Sequence, residues 1–278
     1  MARTGLWWGT IEGAGIVELI DLASGAGFSD ISVTPAMYFD AIRDGVSDAE
    51  LRERLDDRGI AVGVIDPMMR GLPGAMTPEE VGPRFRSTFE HGEDDCYRAA
   101  EALGTRVINV AHYLGKPTPL DALADAIGGI CARAAARGFD ILVEFMPEGS
   151  ITDLAAATTI LRQINAPNCG LTFDTWHFFR NGGVPDQLRT LPPRTIGAVQ
   201  VSDAEDDMFG TGATPPRRDR LMPGEGVIPL RELVSLAQQN DPTVVIGLEV
   251  FNQRTTQPHG ERAKQAKTTL DTLLQALT

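Results

Sequence analysis

The feature that most constrains this chain is an alternation. Strand-like runs at 6–11, 30–34, 60–65, 106–111, 141–145, 170–173, 195–201 and 243–250 are each followed by a helix-like segment, at 15–26, 47–58, 83–103, 120–137, 152–164, 185–191, 228–239 and 261–277. No low-complexity linker interrupts them. The strands are short and rich in β-branched residues, whereas the helical segments carry apolar residues at three- and four-residue spacing. Glycines 27, 59, 104 and 138 stand where helical segments stop, as C-terminal caps do, and Ser47-Asp-Ala-Glu50 fits a capping box. Repeated βα units make a parallel sheet covered by helices, which either closes into a barrel or stays open and doubly wound.

The strand ends favour closure. Four late strands finish in oxygen-bearing residues: Ile141-Leu-Val-Glu144, Leu171-Thr-Phe-Asp174, Gly197-Ala-Val-Gln200 and Ile246-Gly-Leu-Glu249. A barrel gathers such ends around one axis, while an open sheet spreads them along a line. The expectation is therefore an α/β (β/α)8 TIM barrel, a single domain over 1–278. Three carboxylates at one barrel mouth repel one another and call for a cation. Glu144, Asp174, Gln200 and Glu249 form a hard donor set suited to a divalent ion, Mn²⁺ foremost, with Mg²⁺ or Co²⁺ as alternatives, rather than a structural zinc site.

Composition narrows the function. The net charge of −13 opposes a nucleic-acid partner, which needs clustered Lys and Arg. The three cysteines, Cys96, Cys131 and Cys169, share no metal or redox spacing. The amino terminus lacks a signal-peptide core, and no apolar run is long enough to span a bilayer, so a cytoplasmic protein without a membrane partner is expected.

On these residues the chain resembles the xylose isomerase-like barrels, which include sugar isomerases and epimerases, hydroxypyruvate isomerase, inosose dehydratase and 3-dehydroshikimate dehydratase. The likeness runs from Gly27-Phe-Ser-Asp-Ile and Ala102-Leu-Gly-Thr-Arg-Val-Ile to the last helix. It implies metal ligands at Glu144, Asp174, Gln200 and Glu249, with Gln200 replacing the commoner histidine as in hydroxypyruvate isomerase. It also implies a substrate-binding histidine three residues after the aspartate, His177, and a substrate-anchoring arginine after strand seven, Arg220 or, second, Arg217. The implied reaction isomerises or epimerises a small keto-sugar or polyol through a metal-stabilised enediolate, with Glu144 and Glu249 as acid and base. If a β-hydroxyl leaves instead, the same site is a lyase, either a dehydratase of a cyclic keto-acid or keto-polyol or an eliminase of an oxidised glycoside. The family is compatible with a homo-oligomer.

Several further residues are candidates. His112 ends strand four and is read as a substrate contact or a hydrogen-bonded structural histidine. Trp8 and Trp176 are candidate pocket walls. Asp203 is expected to order the ligand shell, and the long 203–226 segment to carry specificity. Abasic-site endonucleases share this barrel but use a histidine-rich metal cluster, and this chain has only four histidines.

Overall fold

The computed structural model describes residues 3–83, 86–205, 220–252 and 255–277. Eight parallel strands close into a barrel in sequence order, with β8 pairing back onto β1. The strands are β1 Thr4–Leu6, β2 Asp30–Val33, β3 Ala61–Met68, β4 Val107–Ala111, β5 Asp140–Glu144, β6 Cys169–Asp174, β7 Ile196–Val201 and β8 Val245–Leu248. The helices that matter here are α1 Ile16–Ala26, α2 Pro35–Arg43, α3 Asp48–Arg58, α4 Arg86–Glu90, α5 Glu93–Leu103, α6 Leu120–Arg137, α7 Leu154–Ile164 and α8 Thr175–Arg180, followed by α9 Pro185–Arg189, α10 Leu230–Asn240 and α11 His259–Gln275. Among the described residues no helix is long and apolar enough to cross a membrane.

Strand residues divide by parity. One set, including Ile108, Val110, Ile141, Val143, Leu171, Phe173, Val199, Ile246 and Leu248, packs outward against the helices in the main core. The other set points into the barrel. Its floor is a separate cluster of Trp7, Val64 and Val245. Trp7 donates its indole N–H to the Val199 carbonyl at 3.1 Å and is 1% exposed. Glycines make room for it: a Cβ on Gly247 would stand 1.9 Å from the Trp7 ring, and one on Gly5 2.3 Å. Above this floor the inward positions become polar, so the same strands that seal the barrel below deliver acids and amides at its mouth.

The elements differ from the sequence expectation chiefly in five places. The first strand stops at Leu6, and Trp8–Ile11 form a 3₁₀ turn that bends the chain across the mouth. Strand β3 runs on through Met68, so Asp66, placed by sequence in a loop, is a strand residue with its side chain buried. The single long helix expected at 83–103 is two helices, because Gly92 supplies an extended N-cap for α5. Two short helices were not anticipated: α2, capped by Thr34 with Pro35 in its first turn, and α8, capped by Asp174.

Candidate active site

Asp174 ends β6 and caps α8 at once. Its Oδ1 accepts from the backbone N–H groups of Trp176 and His177 at 2.8 and 2.9 Å. This cap turns the chain so that His177, three residues on, stands over the strand end. There the His177 Nε2 lies 3.6 Å from Glu144 Oε1 and 3.8 Å from Asp174 Oδ2. Glu144, Asp174 and His177 each bring a ligand-type atom into one group within 4.8 Å, and all three are buried.

Arg220 closes the group from the side. It is 0% exposed, and its Nη1 donates to Asp174 Oδ2 at 2.8 Å and reaches Glu249 Oε2 at 3.4 Å. Its Nη2 lies 3.3 Å from His177 Nε2. A guanidinium only donates, so this contact makes Nε2 the lone-pair nitrogen. The face of the guanidinium stacks on Trp176, 4.9 Å from the ring centroid, and on Phe251 at 5.3 Å. Arg220 is held in place by Asp203, whose backbone bridges Leu221 and whose carboxylate accepts from the N–H groups of Ala204, Gly224, Gly226 and Ile228. Asp203 thus shapes the segment that carries Arg220. Arg217 and most of the long segment, residues 206–219, lie outside the described residues.

Gln200 and Glu249 complete the ring of strand ends. Gln200 pairs in register with Asp174 on one side and Gly247 on the other, and both Gln200 and Glu249 are 2% exposed. With Glu144, Trp8, Asp66 and Phe251 they line a cavity of about 520 Å³ that opens at the barrel mouth. Trp8 is half-buried and packs edge-on against Phe251 at 5.1 Å. Trp176 is placed elsewhere: it is buried behind the site as a platform for Arg220 and Arg180 and is absent from the cavity wall.

His112 also lies outside that wall. Its Nδ1 accepts from the Ser150 N–H at 3.1 Å and its Nε2 donates to the Pro73 carbonyl at 3.0 Å, tying the segments after β3, β4 and β5 together. Burial holds its pKa below the ordinary value, which suits a neutral ring with both nitrogens engaged.

Three participants were not singled out from the sequence. Asp66 on β3, Asn109 on β4 and Thr172 on β6 are all buried and form a chain of side-chain hydrogen bonds that reaches Glu144. A signal existed in Val107-Ile-Asn109-Val-Ala111, where one amide interrupts an otherwise apolar buried strand.

The donor chemistry fits a cation. His177 Nε2, Glu144 Oε1 and Asp174 Oδ2, all ligand-type atoms, gather within 4.8 Å of one another. Four buried carboxylates, Asp66, Glu144, Asp174 and Glu249, stand around the site. Among the described residues that contact them, Arg220 is the one guanidinium that is itself buried. Uncompensated buried charge is expensive, and a divalent ion would neutralise most of it.

Comparison with known proteins bears on the same region. Residues 20–276 match the family model of the xylose isomerase-like TIM barrel. An inosose isomerase of Bacillus subtilis is 28% identical over 138 residues, 48% of this chain and 49% of the relative. The Bacillus licheniformis inosose isomerase is 30% identical over 116 residues, 41% of each. A 3-dehydroshikimate dehydratase of Pseudomonas aeruginosa is 25% identical over 246 residues, 84% of this chain and 36% of that protein. The matches thus span under half the length of each of these relatives. Among solved structures, the IolI protein with a zinc atom superposes with a TM-score of 0.83 at 17% identity, over 99% of both chains. A D-psicose 3-epimerase superposes at 0.70 and 18%, again over 99% of both. At these identities the structural likeness is one of fold.

Proposed function

Because this chain belongs to the xylose isomerase-like TIM-barrel family, we propose that it is a divalent-metal-dependent isomerase or epimerase of a small keto-sugar or related polyol. The observation that carries this reading is the buried group of Glu144, Asp174 and His177, extended by Gln200 and Glu249 at the head of the cavity. Glu144, Asp174, Gln200 and Glu249 would hold the ion, with Mn²⁺ the first candidate. When bound there, a divalent ion polarises a substrate carbonyl and stabilises the negative charge that develops once the α-proton leaves.

The residues of the chain do the rest. Glu144 and Glu249 both line the cavity, from strands separated by two others, so they approach a ligand from different sides. One takes the α-proton and the other returns a proton on the opposite face, the pairing that suits epimerisation, while either alone could serve an isomerisation. His177 and Arg220 stand behind the ligand set and off the cavity wall; Arg220 would supply fixed positive charge to Asp174 and Glu249, and His177 would accept from a substrate hydroxyl that reaches past Glu144. Trp8 and Phe251 wall the cavity with apolar surface that suits the C–H face of a sugar ring. The described lining residues include six acids, Glu12, Asp40, Asp44, Asp66, Glu144 and Glu249, and no lysine or arginine. That lining favours an uncharged polyhydroxylated substrate, whose hydroxyls donate to carboxylates, over a carboxylate or phosphate.

A lyase is the second reading, supported by the likeness to 3-dehydroshikimate dehydratase over 84% of this chain. The test is metal analysis of the purified protein, then incubation in D₂O with a panel of neutral keto-sugars, inososes and cyclic keto-acids. Deuterium at the α-carbon of a neutral ketose, with the substrate's atoms otherwise conserved, is the expected result. Loss of water from a keto-acid would replace the isomerase with a dehydratase, and a protein that binds no divalent ion would remove both.

A further inference from the structure

We propose that Asp66 is a positioning residue that sets which way two of the candidate ion ligands face. The inference rests on the ion-binding reading above. Asp66 sits at an inward position near the end of β3, a strand that contributes no candidate ligand, and it is 2% exposed. An ionised carboxylate only accepts hydrogen bonds. The two oxygens of Asp66 face three donors on three different elements. Oδ1 accepts from Asn109 Nδ2 at 2.7 Å, and Oδ2 accepts from Trp8 Nε1 at 3.2 Å and Gln200 Nε2 at 3.4 Å.

The consequence for Gln200 follows from atom type. A glutamine amide carries an oxygen and an NH₂ on two corners of one plane, nearly identical in shape, and only the oxygen can hold a cation. Drawing the NH₂ to Asp66 turns the Oε1 corner away from β3. A neutral partner at position 66 would accept either corner.

Glu144 is set indirectly. The Asn109 NH₂ has two hydrogens, and it divides them between Asp66 Oδ1 and Glu144 Oε2, each at 2.7 Å, while its Oδ1 accepts from Thr172 Oγ1 at 2.8 Å. Glu144 Oε2 is thereby engaged, and Oε1 is the oxygen that faces His177. One carboxylate on an otherwise uninvolved strand therefore orients an amide ligand directly and a carboxylate ligand through an amide. Partners of this kind, one step removed from an ion, commonly govern its affinity.

The experiment is a double-mutant cycle on ion affinity, read by Mn²⁺ titration against a chromophoric chelator, so that no activity is needed. The proteins are wild type, Asp66→Asn, Gln200→Ala and the double variant. An alanine at 200 has no amide to face either way and adds no charge beside position 66, so the charge removed at 66 is the same in both backgrounds and cancels in the cycle. Asp66→Asn is expected to weaken Mn²⁺ binding roughly tenfold to a hundredfold in the wild-type background, and by a factor at least threefold smaller in the Gln200→Ala background. The metal-free melting curve reports folding, with Asp66→Ser as a second variant should the asparagine not fold. Equal losses in the two backgrounds, or an Asp66→Asn protein within about twofold of wild type, would overturn the positioning role while leaving the ion site standing. A wild-type protein that binds no Mn²⁺, Mg²⁺, Co²⁺ or Zn²⁺ would take down the ion site and the inference together.

Discussion

Glutamine in place of Glu249 keeps the side chain's shape but removes its charge and its capacity to hold a transferable proton. Glu249 lies 3.4 Å from the Arg220 guanidinium and lines the cavity, so the change acts both on ion binding and on proton transfer. Glu249→Gln is expected to lower kcat by about 10²–10⁴-fold, the range of one general acid or base, and to reduce the bound ion measured by elemental analysis. Full ion stoichiometry in the variant would strike Glu249 from the ligand set. His112 predicts a pH effect on stability rather than on chemistry. Burial lowers its pKa from 6.5, with the Pro73 carbonyl opposing more weakly. As pH falls through about 6.5 the unfolded ring takes a proton and the folded ring does not. Stability is therefore intact above that range and declines below it, by at most about 1.4 kcal/mol per pH unit, until the folded ring also protonates. In His112→Gln the loss of stability between pH 7 and 5, followed by denaturant unfolding, should be shallower than in wild type. Equal slopes would place the acid sensitivity on other groups.

At the scale of elements, the legible parts were those where a local rule stood alone. Helices α1, α3, α5 and α6 end at Gly27, Gly59, Gly104 and Gly138, all with positive φ, because a left-handed cap needs no partner elsewhere in the fold. The parts missed depend on the barrel. Trp8 and Ile11 are apolar at a spacing read as part of a strand, but residues 8–11 form a 3₁₀ turn whose Thr10 hydroxyl bonds the backbone of Leu248 and Val250 at the end of β8. Pro67 reads as loop chemistry, yet the register between β3 and β4 shifts between Ile65 and Met68 and accommodates it within the strand. The fit of Trp7 can be tested. Gly247→Ala places a methyl 1.9 Å from the indole, in a floor where backbone lies on the other side, and should destabilise the fold by about 3 kcal/mol or more. Adding Trp7→Leu should recover part of that loss. A double variant no more stable than Gly247→Ala would show that the clash is not the cause.

Over the whole molecule, closure of the sheet is what turned separate strand ends into a site. The sequence showed acids at the ends of β5, β6 and just past β8, and their gathering follows from a barrel that brings all eight strands around one axis. It could not show Asp66, and it offered Asn109 only as an amide in an apolar run, because inward parity at β3 and β4 is visible only once the register is known. Nor could it show that Arg220, distant in sequence from Asp174, would share its carboxylate at 2.8 Å. That contact yields a prediction for the fold as a whole. Asp174 and Glu249 are compensated by Arg220, and a bound divalent ion would act on the same charges. An ion at a thousand times its Kd adds about 4 kcal/mol to stability, on the order of 5–10 °C in Tm for a chain of this size, reversed by chelator. Arg220→Ala leaves two buried carboxylates without their guanidinium and should lower the Tm of the metal-free protein well below wild type. Because the ion then relieves a larger electrostatic cost, its addition should raise the Tm of Arg220→Ala by more than it raises that of wild type. An ion-induced rise equal in both proteins would mean that Arg220 and the ion answer to different charges, and that the guanidinium serves substrate binding alone.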